Sequence, residues 1–550
     1  MMAQMNERNS QFKFPETTDG IPEEGISEEK VLEGIDLGGQ DCLARYDKIL
    51  TMAKPGTSVD KICIAAEKIM QEKYNTNAID GEMFRGTRIK ELEVIAMTAQ
   101  LFGKGGNNLK QLGSGFLLSG GTESINQALW MYRNKFFHHY GQNGENDVRK
   151  IGVGKALQNM ALARFAQTQK LDDMLKLHNP RILVPVNIHF SEKKAADLMG
   201  LGVDSIVYYD LDNNFDADLR SVERVVQSVY NAGDDIIMHY ACGGDVNRGK
   251  VHDIRKINQV IRSCAVERNN EMRFSENQLW VPPTVVDSAG AYMFIGLMKD
   301  SEQYNGGMPE VSFNIPDVEA IIGDPHKQPM PYSCGMLMLK TWKDVVHSDL
   351  RAICNTNYLD MTDAKVQDSS SIFATIPTSR SGSNPMAIWA YYMYYGLKGM
   401  RAKKEKIWSL VQDFKEYIND SKYYELVCEP ETQVVGFYFK GPGLNERVPK
   451  GVSTGRNGQN NVNIYRDIKH SSEHFHHISQ DESMLIRTLE QQNEVDSSNN
   501  GDKLKYAGLF VTVMEHNTKE GVDDLKKVLE QEGKKHYEIA KREIPNLVKW

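Results

Sequence analysis

The run Gly323-Asp-Pro-His-Lys-Gln-Pro-Met-Pro-Tyr-Ser-Cys-Gly335 sets a lysine, Lys327, directly after a histidine and between two apolar segments. An amine attacks a carbonyl only when it is partly deprotonated. A lysine on a solvated loop stays charged, whereas one drawn into a partly desolvated pocket has its pKa lowered and becomes a Schiff-base nucleophile. Standing alone, a His-Lys pair reads as an ordinary surface loop. Three segments upstream change that reading.

The first, Leu117-Leu-Ser-Gly-Gly-Thr-Glu-Ser-Ile125, is an apolar stretch, two glycines, and then hydroxyl and acidic residues that open a helical pattern through Ala128, Leu129 and Tyr132. Glycines let backbone approach an anion, and the positive end of the helix dipole favours a phosphate there. The second, Ile182-Leu-Val-Pro-Val-Asn-Ile-His-Phe-Ser191, is a buried-strand run delivering His189 at its end, where an imidazole can lie flat on a pyridine ring. The third, Pro283-Thr-Val-Val-Asp-Ser-Ala289, ends a β-branched strand on Asp287 and follows it with small residues. A carboxylate there can keep a pyridine nitrogen protonated, and small side chains leave room for a flat ring. Each segment alone has an ordinary structural reading: a capped turn, a core histidine, a strand-end cap. Together they supply what a pyridoxal 5'-phosphate site needs: a phosphate cradle, a stacking group, an acid for the ring nitrogen and a reactive amine.

In motif and in chain order these segments resemble the group II pyridoxal-phosphate-dependent amino-acid decarboxylases of fold type I. Ser-Gly-Gly-Thr-Glu is similar to that family's phosphate loop, His189-Phe-Ser191 with Lys194-Ala195 to its His-x-Ser-x-x-Lys-Ala motif, Val286-Asp-Ser-Ala289 to its Asp-Ala-Ala strand, and Asp324-Pro-His-Lys327 to its lysine motif. The resemblance implies that His189 stacks on one face of the cofactor and Ala289 on the other, that Asp287 meets the ring nitrogen, and that Lys327 holds the internal aldimine. It further implies that Gly121, Thr122 and His326 line the phosphate side. Ser379 would reach the phosphate of the neighbouring subunit, since sites in this family are shared across a homodimer. Among relatives, Pro331-Tyr-Ser-Cys-Gly335 and the long insertion after Trp130 look most like bacterial tyrosine decarboxylases.

The chain also departs from the family pattern. Ala241-Cys-Gly-Gly-Asp-Val-Asn-Arg-Gly249 stands where a Gly-Thr-Thr is usual, so the threonine expected near the cofactor's phenolic oxygen has no clear counterpart. The stretch Asp368 to Phe373 lacks the mobile-loop tyrosine that protonates the carbanion in several relatives, which leaves Tyr358, His326 and His189 as candidates. Thr378 replaces the usual glycine before Ser379-Arg380.

The bond broken at the substrate Cα is the one held perpendicular to the ring, so positioning decides the reaction. A perpendicular carboxylate gives decarboxylation, with a general acid returning a proton to Cα. A perpendicular Cα–Cβ bond gives an aldehyde lyase of the sphingosine-phosphate lyase type, and an inert cofactor-binding homologue is the third reading. Arg380 or pocket tyrosines suit an acidic or a phenolic substrate alike.

At 550 residues the chain exceeds one compact core. The alternation of strand-like and helical runs predicts an α/β fold of the fold type I transferase kind: a mostly parallel sheet with helices on both faces, and sites at the strands' carboxyl ends. We expect an N-terminal helical arm over 1–75, a large cofactor-binding domain over 76–395 and a smaller C-terminal α+β domain over 396–550. A net charge of -9 without a basic stripe argues against nucleic-acid partners. Seven cysteines with no C-x-x-C pair suit reduced thiols in a cytoplasm. The polar start and the absence of a long apolar run predict neither signal peptide nor membrane span. His470 and His474 have helical i,i+4 spacing, but without a completing acid or cysteine they read as a polar loop, so no metal is expected.

Overall fold

The computed structural model describes residues 59–78, 83–103, 114–139, 147–169, 179–212, 214–272, 279–305, 307–340, 375–377, 379–440, 479–481 and 508–543. In chain order its elements are α1 (Lys61–Lys73), α2 (Arg85–Gln100), β1 (Ser114–Leu118), α3 (Gly121–His139), α4 (Val148–Thr168), β2 (Pro180–Pro185) and α5 (Ser191–Leu198). There follow β3 (Ile206–Tyr209), α6 (Leu219–Asn231), β4 (Asp235–Cys242), α7 (Ile254–Met272), β5 (Thr284–Asp287), α8 (Tyr292–Met298), β6 (Val318–Gly323) and β7 (Gly335–Leu339). The C-terminal part contributes α9 (Ser383–Asp420), β8 (Tyr424–Leu426), β9 (Val434–Phe439), β10 (Ser479–Asp481), β11 (Gly508–Thr512) and α10 (Lys519–Glu543).

Strands buried on both faces need unbroken apolar runs. β4 (Asp-Ile-Ile-Met-His-Tyr-Ala-Cys) is buried at every position, and β5 and β6 at nearly every one. They form the centre of a seven-stranded sheet of order β1-β7-β6-β5-β4-β2-β3. The pairs among β3, β2, β4, β5 and β6 are parallel, and β7 runs antiparallel between β6 and β1. Helices cover the sheet: α6 turns Val222, Val226 and Val229 inward, where they pack with Ile257 and Ile261 of α7. α4, the expected helix of the long insertion, buries Leu157, Met160 and Ala161.

Register levels the strand exits. Cys242 pairs with Asp287, and Asp287 with Ile322, so β4, β5 and β6 end side by side. β7 starts at the same edge, with Gly335 opposite Leu118 and Met336 opposite Gly323. A Cβ on Gly335 would lie 2.5 Å from the carbonyl carbon of Gly120, so only glycine lets β7 start against the loop after β1.

The second sheet, antiparallel in the order β10-β11-β9-β8, has its own core, in which Val435, Phe437, Val511 and Leu525 meet Phe414 of α9. α9 is broken at Gly396 (φ 57°, ψ 178°), beside the expected domain boundary. The His138-His139 pair at the end of α3 is half-buried, and the His139 ring packs 5.3 Å from Trp280. The 470–477 histidine cluster and the segment 31–58 lie outside the described residues. Among the described residues no helix is long and apolar enough to cross a membrane, and no group of three metal-ligating side chains occurs.

Gly335→Ala is expected to cost about 1–3 kcal/mol by overpacking backbone against backbone, read as a lower thermal midpoint. Gly154→Ala, on α4 with nothing within 4 Å of its added Cβ, is the matched control and should leave the midpoint unchanged or slightly raised.

Candidate active site

A cavity of about 370 Å³ opens at the carboxyl edge of the main sheet, within the usual size of small-molecule pockets. Its wall is made by the exits of five strands. Ser119 to Glu123 follow β1, Asn187 to His189 follow β2, Cys242 to Val246 end and follow β4, Asp287 to Gly290 end and follow β5, and Asp324 to Lys327 follow β6. Gly121, Thr122, His189, Asp287, Ala289, His326 and Lys327, seven of the residues singled out from the sequence, are thus brought together. Ser379 is exposed and lies outside this single-chain cavity, and Tyr358 lies outside the described residues.

At the phosphate-side end, α3 begins at Gly121, and its first residues, Gly121, Thr122 and Glu123, line the cavity. The space there is tight: a Cβ on Gly121 would meet Asp324 Oδ2 at 3.1 Å and the Ala289 methyl at 3.3 Å, and one on Gly120 would meet the His326 ring at 3.1 Å. His326 Nδ1 lies 2.6 Å from the Cys334 carbonyl oxygen, and its ring stacks on Tyr332 at 5.0 Å. His189 accepts a hydrogen bond from the Ser191 amide on Nδ1 (3.3 Å) and stacks on Phe190 at 4.2 Å, which fixes its ring plane.

Asp287 is held from two sides. The Ala289 amide donates to Oδ1 at 3.0 Å, and the Tyr240 hydroxyl donates to Oδ2 at 2.5 Å. Burial, reinforced by the Asp287 charge, pushes the Tyr240 pKa well above the usual phenol range, so the hydroxyl remains a donor. Sequence reasoning missed Tyr240. The signal lay in strand alternation: Tyr240 pairs with Val285, so it shares a sheet face with Asp287 two residues on.

Lys327 sits on a single 3-10 turn, Pro325–Lys327, and its Nζ lies 2.9 Å from Asp324 Oδ2. Here the sequence expectation needs correction. Burial does act to lower the lysine pKa, but the Asp324 carboxylate beside it, followed by Asp287 and Tyr332, raises it more, so the net shift is upward. The nearest counter-charge was hidden three residues upstream, in a motif where only the histidine and the lysine drew attention. A second correction concerns Arg380. It is committed to Glu91, with NH1 2.6 Å from Oε1, and it also donates to the Leu117 carbonyl, so it ties β1 to α2 rather than facing a substrate. Arg88 joins the same carboxylate at 2.5 Å, and the two guanidiniums overcome the cost of burying Glu91 and lower its pKa. At the departure after β4, the Asp245 carboxylate accepts from Asn187 Nδ2 at 2.6 Å and from the Asn247 and Arg248 amides.

The fold and this wall of glycine loop, histidine, supported aspartate and lysine define a fold type I pyridoxal-phosphate enzyme. The family model for the pyridoxal-dependent decarboxylase conserved domain matches residues 155–440, and the chain belongs to that family. A probable L-tyrosine/L-aspartate decarboxylase of Methanothermobacter thermautotrophicus is 22% identical over 398 residues, covering 71% of this chain and 85% of the relative. An L-aspartate/L-glutamate decarboxylase of Pyrococcus horikoshii is 25% identical, covering 78% and 89%. Among solved structures, mouse CSAD superposes with a TM-score of 0.68 at 17% identity over 94% of this chain and 90% of that one. Oryza sativa TDC, crystallised with PLP and tryptamine, superposes with a TM-score of 0.67 at 12% identity over 94% and 90%.

The residues present fit pyridoxal phosphate. The glycine cradle leaves space that any side chain would fill, and Asp324 Oδ1 is buried without a hydrogen-bond partner among the described residues. Asp287 is the carboxylate with a fixed orientation.

Asp324→Asn removes the largest upward influence on Lys327, so the amine should lose its proton at lower pH. Alkylation of Lys327 in cofactor-free protein, followed by peptide mass spectrometry, should show its pH midpoint moving down. An unmoved midpoint would mean that Asp324 does not set the lysine's charge.

Proposed function

We propose that this pyridoxal-phosphate-dependent decarboxylase acts on an L-amino acid with an uncharged, aromatic side chain, using Lys327 as the amine that holds the cofactor. When bound, the cofactor supplies an aldehyde for that amine and an electron-withdrawing ring. Asp287, kept in place by Tyr240 and the Ala289 amide, is the carboxylate that would pair with the ring nitrogen. His189 and Ala289 would flank the ring, and Gly121, Thr122 and His326 would take the phosphate end. Asp324 Oδ2, 2.9 Å from Lys327 Nζ, is placed to accept the proton that the amine must lose. Tyr358 and His326 are the candidates for returning a proton to Cα.

The observation that carries the substrate reading is the charge of the wall. Lys327 is the only lysine or arginine among its described lining residues, which also include Glu123, Asp245, Asp287 and Asp324. A substrate bearing a side-chain carboxylate would meet like charge there, and Arg380 is already engaged. The relatives named for tyrosine keep the aromatic choice within the family's range.

We further infer a homodimer with shared sites. An apolar groove of about 580 Å³ between α1, α2 and α9, lined by Ile69, Met83, Phe84 and Trp389, and the exposed Tyr394 and Met393 beside it form a surface that a second copy would cover. Ser379, outside its own chain's cavity, fits a role across that contact. The division at about residue 395 is supported by the break at Gly396 and the separate core of the second sheet. A cytoplasmic location is supported by Cys242, Cys264 and Cys428, which form no disulfide among the described residues.

Incubation of the pyridoxal-phosphate-loaded enzyme with tyrosine, aspartate and glutamate in turn should release carbon dioxide fastest from tyrosine, with the amine as co-product. Lys327→Ala should abolish release. Preference for aspartate or glutamate would overturn the aromatic reading, and an aldehyde product would point to the lyase reaction.

A further inference from the structure

The residue after the reactive lysine is held by charges that lie far away in sequence. Gln328 Oε1 accepts from Lys404 Nζ at 2.6 Å, while Gln328 Nε2 donates to the Gly290 carbonyl at 3.3 Å. Gly290 directly follows Ala289, so this one amide joins the Lys327 turn to the loop carrying Asp287 and Ala289. Gln433 Nε2 of the neighbouring segment donates to the same carbonyl at 2.7 Å.

Lys404 is 2% exposed on α9, and its Nζ lies 2.6 Å from Glu515 Oε1, just past β11. The second oxygen of Glu515 takes the adjacent Lys403 at 3.2 Å, and Tyr391 donates to both oxygens at 3.2 and 3.1 Å. Lys403 continues to Asp60 Oδ2 at 3.3 Å and covers the Tyr395 ring at 4.0 Å, and the Tyr395 hydroxyl donates to the same Asp60 oxygen at 2.7 Å. Asp60 caps α1, and its own amide donates to the Pro329 carbonyl at 2.9 Å. The circuit is closed. It leaves Gln328 through a side chain and returns to Pro329 through the backbone.

A buried ion pair seldom adds stability over apolar side chains of similar volume, because both charges must be stripped of water. What such a pair does provide is direction: an ammonium fixed by one carboxylate accepts only one orientation of the amide beyond it. Here that amide belongs to the residue bonded to Lys327.

We propose that Lys404, fixed by Glu515, is a positioning residue that acts through Gln328 to hold the Lys327 turn against the Asp287 loop, so that the C-terminal sheet sets the aim of the reactive amine. This rests on the reading of Lys327 as the amine that holds the cofactor. Loss of the circuit loosens the Lys327 turn from the Asp287 loop, and misplacement of the amine by about 1 Å lowers turnover by up to about 10²-fold.

The test uses the loaded full-length enzyme and four variants: Lys404→Met, Lys404→Arg, Gln328→Met and Lys327→Ala. Lys404→Met and Gln328→Met should lower kcat by about tenfold or more with KM within about twofold. Both should also move the pH midpoint of the cofactor's visible absorbance by about half a unit or more. Lys404→Arg, which keeps the charge and the donor, should recover most of both. Gln328→Met leaves the ion pair intact, so it decides the matter if Lys404→Met does not fold. If Lys327→Ala is inactive while Gln328→Met keeps a wild-type kcat and absorbance midpoint, the positioning role is overturned and the reading of Lys327 stands. If Lys327→Ala retains turnover, that underlying reading falls and the positioning role falls with it.

Discussion

The parallel register of β4, β5 and β6 is the constraint on which the site depends. Because Cys242, Asp287 and Ile322 lie level across three strands, the loops that follow leave the sheet together and have to share one cavity. A slip of one residue in β5 would turn Asp287 to the opposite face, away from Tyr240, and put Val286 in its place. The antiparallel β7 starts where β6 and β1 end. It fits only because Gly335 has no side chain to strike Gly120.

Within that cavity the electrostatics are those of paired charges rather than of a bare desolvated amine. Asp324 and Lys327 neutralise one another in the wall, and Asp287 is balanced by hydrogen bonds from a phenol and an amide. The same economy recurs outside the cavity, where Arg380 and Arg88 share Glu91, and Lys403 and Lys404 share Glu515. The Arg380–Glu91 pair and both Glu515 pairs join segments far apart in sequence, so these buried charges act as cross-ties between elements. That arrangement explains why an arginine that looked available for substrate is structural, and why a lysine with no motif around it sits behind the reactive one.

The strongest elements were readable from local pattern. β2, β4 and β5 declare themselves as short β-branched or aliphatic runs, and His189, Asp287 and Lys327 each stand at or just past the end of such a run, so the strands could be assigned in advance and the three side chains named as candidates that share one cavity. Tyr240, Asp324, Lys404 and Glu515 were not readable. Tyr240 looks like one more apolar residue of a buried strand, Asp324 like a loop acid, and Lys404 and Glu515 like the solvated charges that most lysines and glutamates are.

Sequence alone determined the α/β architecture, the order of the cofactor motifs and the candidacy of Lys327, because periodicity and short motifs are properties of neighbours along the chain. Only the tertiary structure decided the pairing of Lys327 with Asp324, the engagement of Arg380 and the circuit through Glu515. Those follow from Coulomb interactions over a few ångströms in a medium of low polarity, and the partners are brought together by folding from positions as far apart as Asp60 and Glu515.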